Sequence, residues 1–251
     1  MKLTLSTFRP GWVPSLVVVV LLPVLIGLGL WQWGRGVDKQ HLVAVYTARS
    51  EAPPLTAVAL QVLNDPAFRP VVLRGHFDGE HSVLLDNRVR DGAPGVELLQ
   101  PFQDEASGLW VLVNRGWLPW PDRRTPPEFT TPAQVLNIEA TVYVAPDASF
   151  QLHADPASAT WPRLVTVVDA AALWPQLDRH GLAHEVRMRD GPGAYRLGWP
   201  VVALSPETHF GYAVQWFAMA TALVLMFLYF GWHNHIKEVR HERRGRTTPS
   251  A

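Results

Sequence analysis

Two uncharged apolar runs, 11–34 and 210–232, bracket 175 residues in which apolar and polar positions alternate on a much shorter scale. Helices of 24 and 23 residues, at about 1.5 Å of rise per residue, reach roughly 35 Å, enough to cross a hydrocarbon layer of about 30 Å with some tilt. Between them, β-branched and apolar stretches at 71–77, 82–87, 96–102, 109–117 and 135–144 predict strands. Asp-Gly, Pro-Gly and Ser-Gly signals separate them, with Asp91-Gly92 and Pro94-Gly95 falling between two of the strands. A further strand is expected at 163–168, Asp169 caps a helix to about 180, and 183–189 returns to strand. The pattern predicts a membrane protein of the α+β class. Two transmembrane helices form a hairpin and flank a mainly antiparallel β domain, a sheet or partly closed barrel, with one or two helices.

Charge orients the hairpin. The tails, 1–10 and 233–251, carry Lys2, Arg9, Lys237, Arg240, Arg243, Arg244 and Arg246 against Glu238 and Glu242, a net +5. The segment 35–209 holds 15 basic and 20 acidic residues, a net −5, so the overall zero hides a sharp partition. Short basic tails stay in the cytoplasm and long loops translocate, which puts both termini inside and 35–209 outside. A cleavable signal sequence would need a small-residue cleavage site, whereas the first run ends in Trp31, Gln32 and Trp33. About ten residues precede that run, few for an organellar presequence. The expectation is a bacterial inner membrane with a periplasmic domain, its basic tail held against anionic lipid.

The chain has no cysteine, which excludes disulfides and thiol redox chemistry. There is no Gly-rich phosphate loop, no paired-histidine metal signature and no nucleophile elbow, and nothing beyond tail charge points to nucleic acid. Asp86, Asp91 and Glu97 read as solvated carboxylates at strand ends, and His76, His81, His180 and His184 as turn-flanking residues. No enzyme is expected.

An internal echo, Val83-Leu84-Leu85-Asp86-Asn87-Arg88 and Val111-Leu112-Val113-Asn114-Arg115, is open to two readings. Asn and Arg can simply end strands. Alternatively, a three-stranded meander would bring both pairs to one sheet edge, where Arg88, Arg90 and Arg115 would offer planar donors to an acidic partner.

At the outward ends of the spans, Gln32 and Gln215 fall at similar depth, and pairing with each other is the simplest way to satisfy them in lipid. His209 stands at the mouth of the second span, followed at helical spacing by Tyr212, Ala213, Trp216 and Ala220. It reads either as an amphipathic interface residue or as an axial ligand for a haem lying between the helices, where small residues leave room for the ring.

Several stretches together resemble the Surfeit locus protein 1 family of cytochrome c oxidase assembly factors. They are Leu28-Gly29-Leu30-Trp31-Gln32 with Arg35 and Lys39, Arg69-Pro70-Val71 leading to Gly75-His76-Phe77, Leu84-Leu85-Asp86-Asn87-Arg88, Val113-Asn114-Arg115-Gly116-Trp117, and the run from His209 to Phe217. The resemblance implies a membrane protein that assists maturation of oxidase subunit I by binding and delivering haem a, with haem a synthase as a further partner. It implies His209 as the iron ligand. Trp31, Tyr212 and Trp216 would then line the ring, Gln32 or Gln215 would orient it, and Arg35 would pair with a propionate. Asn87, Arg88, Asn114, Arg115 and Trp117 form the expected partner-docking set. The runner-up is a cofactor-free membrane-anchored scaffold that grips oxidase subunits through its sheet.

Overall fold

The computed structural model describes residues 8, 10–145 and 160–245, with the backbone alone for 234–245. Of the basic tails, Lys2, Arg9 and Arg246 lie outside the described residues, as do the side chains of His235, Lys237, Arg240, Arg243 and Arg244.

The chain divides into a helix pair and the domain Val45–Pro200. The pair consists of α1, Trp12–Ser50, and α4, Pro206–Gly245. Both are long and apolar enough to cross a membrane. The first helix does not stop at 34, where the apolar run ends, but continues through Arg35, Asp38 and Lys39 to Ser50. After Pro23, which lies inside the helix, no proline occurs before Pro53 and Pro54, so backbone hydrogen bonding propagates beyond the apolar stretch.

The domain is built from seven strands: β1 (Pro70–Phe77), β2 (Val83–Arg90), β3 (Ala93–Asp104), β4 (Trp110–Pro119), β5 (Leu136–Tyr143), β6 (Arg163–Val165) and β7 (Gly181–Asp190). Two short helices, α2 (Ala57–Gln61) and α3 (Ala170–Gln176), accompany them. The strands form one sheet in the order β1-β5-β7-β4-β3-β2-β6. It closes on itself because β1 also pairs with β3 through Gly75↔Asp104, His76↔Gln103 and Phe77↔Phe102. Five strands thus make a barrel, and the 12-residue β3 is long enough to leave it and carry β2 and β6 as a flap. Most pairings are antiparallel, while β2–β6 and β4–β7 are parallel.

Alternation explains the barrel interior. Leu136, Ile138, Ala140 and Val142 of β5 are buried at every second position and join Val71, Leu73, Phe102, Val186 and Met188. A second cluster lies on the other face, where Leu85, Leu99 and Leu112 are covered by Leu173 and Trp174 of α3. Asp169 caps α3 by accepting from Ala172 N at 2.9 Å, and the helix ends at Gln176, short of the expected 180. Asp91 and Gly92, with φ of 49° and 75°, form the two-residue turn between β2 and β3. Pro94-Gly95, expected as a turn, lies inside β3 instead. Gly95 is needed there because the Trp117 indole packs where a Cβ would stand.

Candidate functional site

The helix pair meets along an antiparallel seam with heptad spacing. On α1 the inward positions include Gly29, Gln32 and Gly36, and on α4 Phe210, Ala213, Phe217 and Ala220. Each glycine receives a ring: a Cβ added at Gly29 would stand 2.5 Å from Phe217, and one at Gly36 would stand 2.6 Å from Phe210. Small residues let the backbones approach, which is how apolar helices associate where lipid removes the hydrophobic drive. The room foreseen for a haem between the helices is therefore filled by Phe210 and Phe217.

One polar contact crosses this seam. His209 Nδ1 lies 2.8 Å from Gln32 Oε1. An amide oxygen only accepts, so Nδ1 is the donor in this contact and Nε2 takes no part in it. Gln32 therefore pairs with His209 and not with Gln215, which is exposed on the far side of α4.

Helical spacing assigns the other candidates. Trp31 and Arg35 follow one flank of the α1 seam, and His209, Tyr212 and Trp216 follow one flank of the α4 seam. In an antiparallel pair these flanks lie on the same side. Trp33 and Phe210 occupy the opposite flank, where their ring centroids are 5.0 Å apart. Trp31 is 55% exposed and Tyr212 45%, so the flank is an open surface with one imidazole, aromatic rings and a guanidinium.

In the domain, the expected docking edge dissolves. Asn114 is 0% and Arg115 1% exposed, and Trp117 is also buried. The two Asn-Arg pairs do not reach one edge: Asn114 pairs across β3 at Leu99, in the row of Val83, several residues from Asn87. Only Asn87, in a left-handed conformation at φ 56°, and Arg88 remain at the surface.

The Asn-Arg-Gly-Trp stretch is instead a structural knot. Asn114 Nδ2 donates to Glu97 Oε2 at 2.9 Å, and its Oδ1 accepts from Gly116 N at 3.2 Å. Gly116, with φ of 118°, lets the backbone at Tyr195 and Arg196 come close; a Cβ there would stand 3.0 Å from Arg196 O. Trp117 Nε1 donates to Arg88 O at 2.7 Å. Arg115 plugs one end of the barrel. Its Nε donates to Gly193 O at 2.7 Å, Nη2 to Thr130 O at 2.9 Å, and Nη1 to Gln100 Oε1. Phe77 and Tyr195 flank the guanidinium at 4.9 and 5.1 Å. Burial lowers the Arg115 pKa, and the neighbouring Tyr195 partly opposes this. Sequence spacing gave no sign of Gln100, Thr130, Gly193 or Tyr195 as its partners.

A layer of charge covers the outer face of β2, β3 and β7. Glu97 Oε1 faces Arg88 Nε at 4.0 Å and Arg90 Nη2 at 3.9 Å, and Arg187 Nε donates to Glu185 Oε1 at 3.0 Å. Burial raises the Glu185 pKa against the opposing pull of Arg187. Among the described residues no three His, Asp or Glu side chains gather to hold a metal ion.

Two paired helices long and apolar enough to cross a membrane, with a closed β barrel in the same chain, make an α+β architecture that suits membrane anchoring. The chain belongs to the SURF1 family, whose profile matches residues 19–221. It is 26% identical over 232 residues to Surfeit locus protein 1 of Xenopus tropicalis, an alignment covering 82% of this chain and 72% of the frog protein. It is 23% identical to a SURF1-like protein of Rickettsia felis, with 86% and 96% covered. Against the cytochrome oxidase assembly protein SHY1 of Saccharomyces cerevisiae identity is 30%, but only 36% of this chain and 24% of that protein align.

Proposed function

We propose that this protein is a non-enzymatic assembly factor for cytochrome c oxidase that holds haem a for insertion into subunit I, receiving it from haem a synthase. Its helices would span a bacterial inner membrane, with both termini cytoplasmic and the barrel periplasmic. The family, and a yeast relative that is a cytochrome oxidase assembly protein by name, support the assembly role. The observation that carries the haem reading is the contact between Gln32 and His209, because it engages Nδ1, fixes the ring and leaves Nε2 to face an iron. The donor set fits a haem: His209 for the iron, Arg35 for a propionate, and Trp31, Tyr212 and Trp216 as apolar walls. All five share the open flank of the pair, outside the filled seam. Bound there, the cofactor would supply the redox-active iron destined for the oxidase, while these residues only hold and orient it.

The test is the absorption spectrum of the protein purified from a host that makes haem a, wild type against His209→Ala. Loss of the haem band in the variant is expected, and equal retention overturns the ligand assignment. The filled seam favours one alternative, a cofactor-free scaffold docking oxidase subunits. Wild-type protein purified with oxidase subunits but without haem would establish it.

A further inference from the structure

The sequence Asp-Gly occurs three times, at Asp78-Gly79, Asp91-Gly92 and Asp190-Gly191. In such a pair the amide nitrogen of the glycine can attack the carboxyl carbon of the aspartate, because glycine puts no side chain in the way. How each carboxylate is held decides whether it does. Asp78 is clamped by Arg179 and His81, each at 2.7 Å, and by Glu80 N at 2.8 Å. Asp91 is bonded by Arg196. A cation in contact keeps a carboxylate ionised, and its carbon is then a poor electrophile.

Asp190 has no such clamp. It is exposed at the last position of β7, and no cation pairs with it among the described residues. Its Oδ1 accepts from Gly191 N at 2.7 Å, so the nucleophile already stands against the group it attacks. Gly191 is exposed, with φ of 116°, and a Cβ there would have only the Met188 methyl carbon within 4 Å. The ladder beside it is irregular, with a register shift between Glu139↔Asp190 and Ala140↔Met188. Asp86 has a similar contact, from Asn87 N at 2.6 Å, but Arg123 grips the same oxygen at 2.7 Å.

We propose that Asp190-Gly191 is a site of spontaneous aspartate isomerisation. The Gly191 nitrogen bonds to the carboxyl carbon of protonated Asp190, and the amide proton and the carboxyl hydroxyl leave as water, closing a succinimide ring. A second water adds at the α-carbonyl carbon and breaks its bond to nitrogen, which regains a proton. The main chain then runs through the side-chain carbon, and the α-carboxylate is left free as an isoaspartate. Neither oxidant nor reductant is needed. The product sits three residues before Gly193, whose carbonyl accepts from Arg115 Nε at 2.7 Å, and Tyr195 N donates to Arg115 O at 2.7 Å. A main chain lengthened by one carbon loosens this segment where it closes on the Arg115 plug. The site is separate from the haem reading and stands or falls without it.

The full chain, in a non-ionic detergent, is incubated warm at neutral pH. Aliquots are digested with endoproteinase Asp-N, which cuts before aspartate but not before isoaspartate, and read by mass spectrometry. Isoaspartate should accumulate at 190 severalfold faster than at 78 or 91, and the aged fraction that carries it should melt below fresh protein. Arg196→Gln, which frees Asp91, should raise isomerisation at 91 severalfold and leave 190 unchanged. Asp190→Glu, whose longer side chain closes a six-membered ring far more slowly, should keep its melting temperature through the same incubation. Similar rates at all three pairs, a faster rate at 78 or 91, no effect of Arg196→Gln at 91, or an equal fall in melting temperature with Asp190→Glu overturns the proposal.

Discussion

His209 Nδ1 and Gln32 Oε1 stand 2.8 Å apart across the seam of two long apolar helices, 177 residues apart in sequence. The ring N–H and the amide oxygen satisfy one another, so neither is left unpaired at the seam.

If haem is held at His209, this pairing controls its affinity. Gln32→Leu should lower the haem retained on purification, with affinity falling about 10–100-fold, the range seen when the partner of a ligating histidine is lost. Gln215→Leu, on the exposed far side of α4, should leave the haem band unchanged. Equal loss in both variants would show that Gln32 has no specific part.

Arg115 should prove to be a stability residue. Arg115→Met keeps the volume but leaves the buried Gln100 Oε1 and the half-buried Gly193 O without their donor, while Thr130 O keeps the Tyr195 hydroxyl. The expected cost is about 3 kcal/mol, a fall in melting temperature of roughly 10 °C for a domain of this size. Arg115→Lys should recover only part of this, because one ammonium cannot reproduce the three-way fork. Unchanged melting in Arg115→Met would refute the plug.

Asp78 links stability to acid. Its carboxylate accepts from His81 Nδ1 at 2.7 Å and Glu80 N at 2.8 Å, and it pairs with Arg179 Nη1 at 2.7 Å. Burial works to raise its pKa, but the bonds from Arg179 and His81 prevail and hold it below the usual carboxylate range. With the folded pKa below the unfolded one, the stabilisation is present above about pH 4 and is lost as pH falls through the lowered value. Asp78→Asn should therefore melt lower than wild type at pH 7, and the difference should shrink on acidification below pH about 4. A gap constant between pH 7 and pH 3 would count against the ion cluster.

The strands were legible wherever one face is buried and the other wet, as along Leu136, Ile138, Ala140 and Val142. Where both faces are covered the alternation disappears: in β4, Val111 through Leu118 are all buried, and nothing local distinguishes Asn114 and Arg115 from strand-end residues. The partners of Arg115 lie 15 to 78 residues away, at Gln100, Thr130 and Gly193, and that of the Asn114 amide N–H 17 residues away, at Glu97. Pro94-Gly95 misled for a related reason, since glycine serves a close tryptophan contact as readily as a turn. At the helix pair both Gln32 and His209 stood out by chemistry. Depth alone suggested the wrong partner, and the signal that finds the right one is the heptad spacing of Gly29, Gln32 and Gly36 against Phe210, Ala213 and Phe217.

That seam makes the last prediction. Gly29 accepts the Phe217 ring where a side chain would otherwise stand, whereas a Cβ at Gly27 would meet nothing within 4 Å. An alanine at Gly29 can be absorbed by a shift of the ring, but Gly29→Leu must push the helices apart, and in lipid no hydrophobic drive restores the contact. Because the chain has no cysteine, thiols introduced at Gln32 and His209 are the sole targets of a short bis-methanethiosulfonate cross-linker. Intramolecular cross-linking should be near complete in the otherwise native background, fall severalfold with Gly29→Leu, and stay high with Gly27→Leu. Equal yields in the two leucine variants would mean that glycine at 29 is not what holds His209 against Gln32.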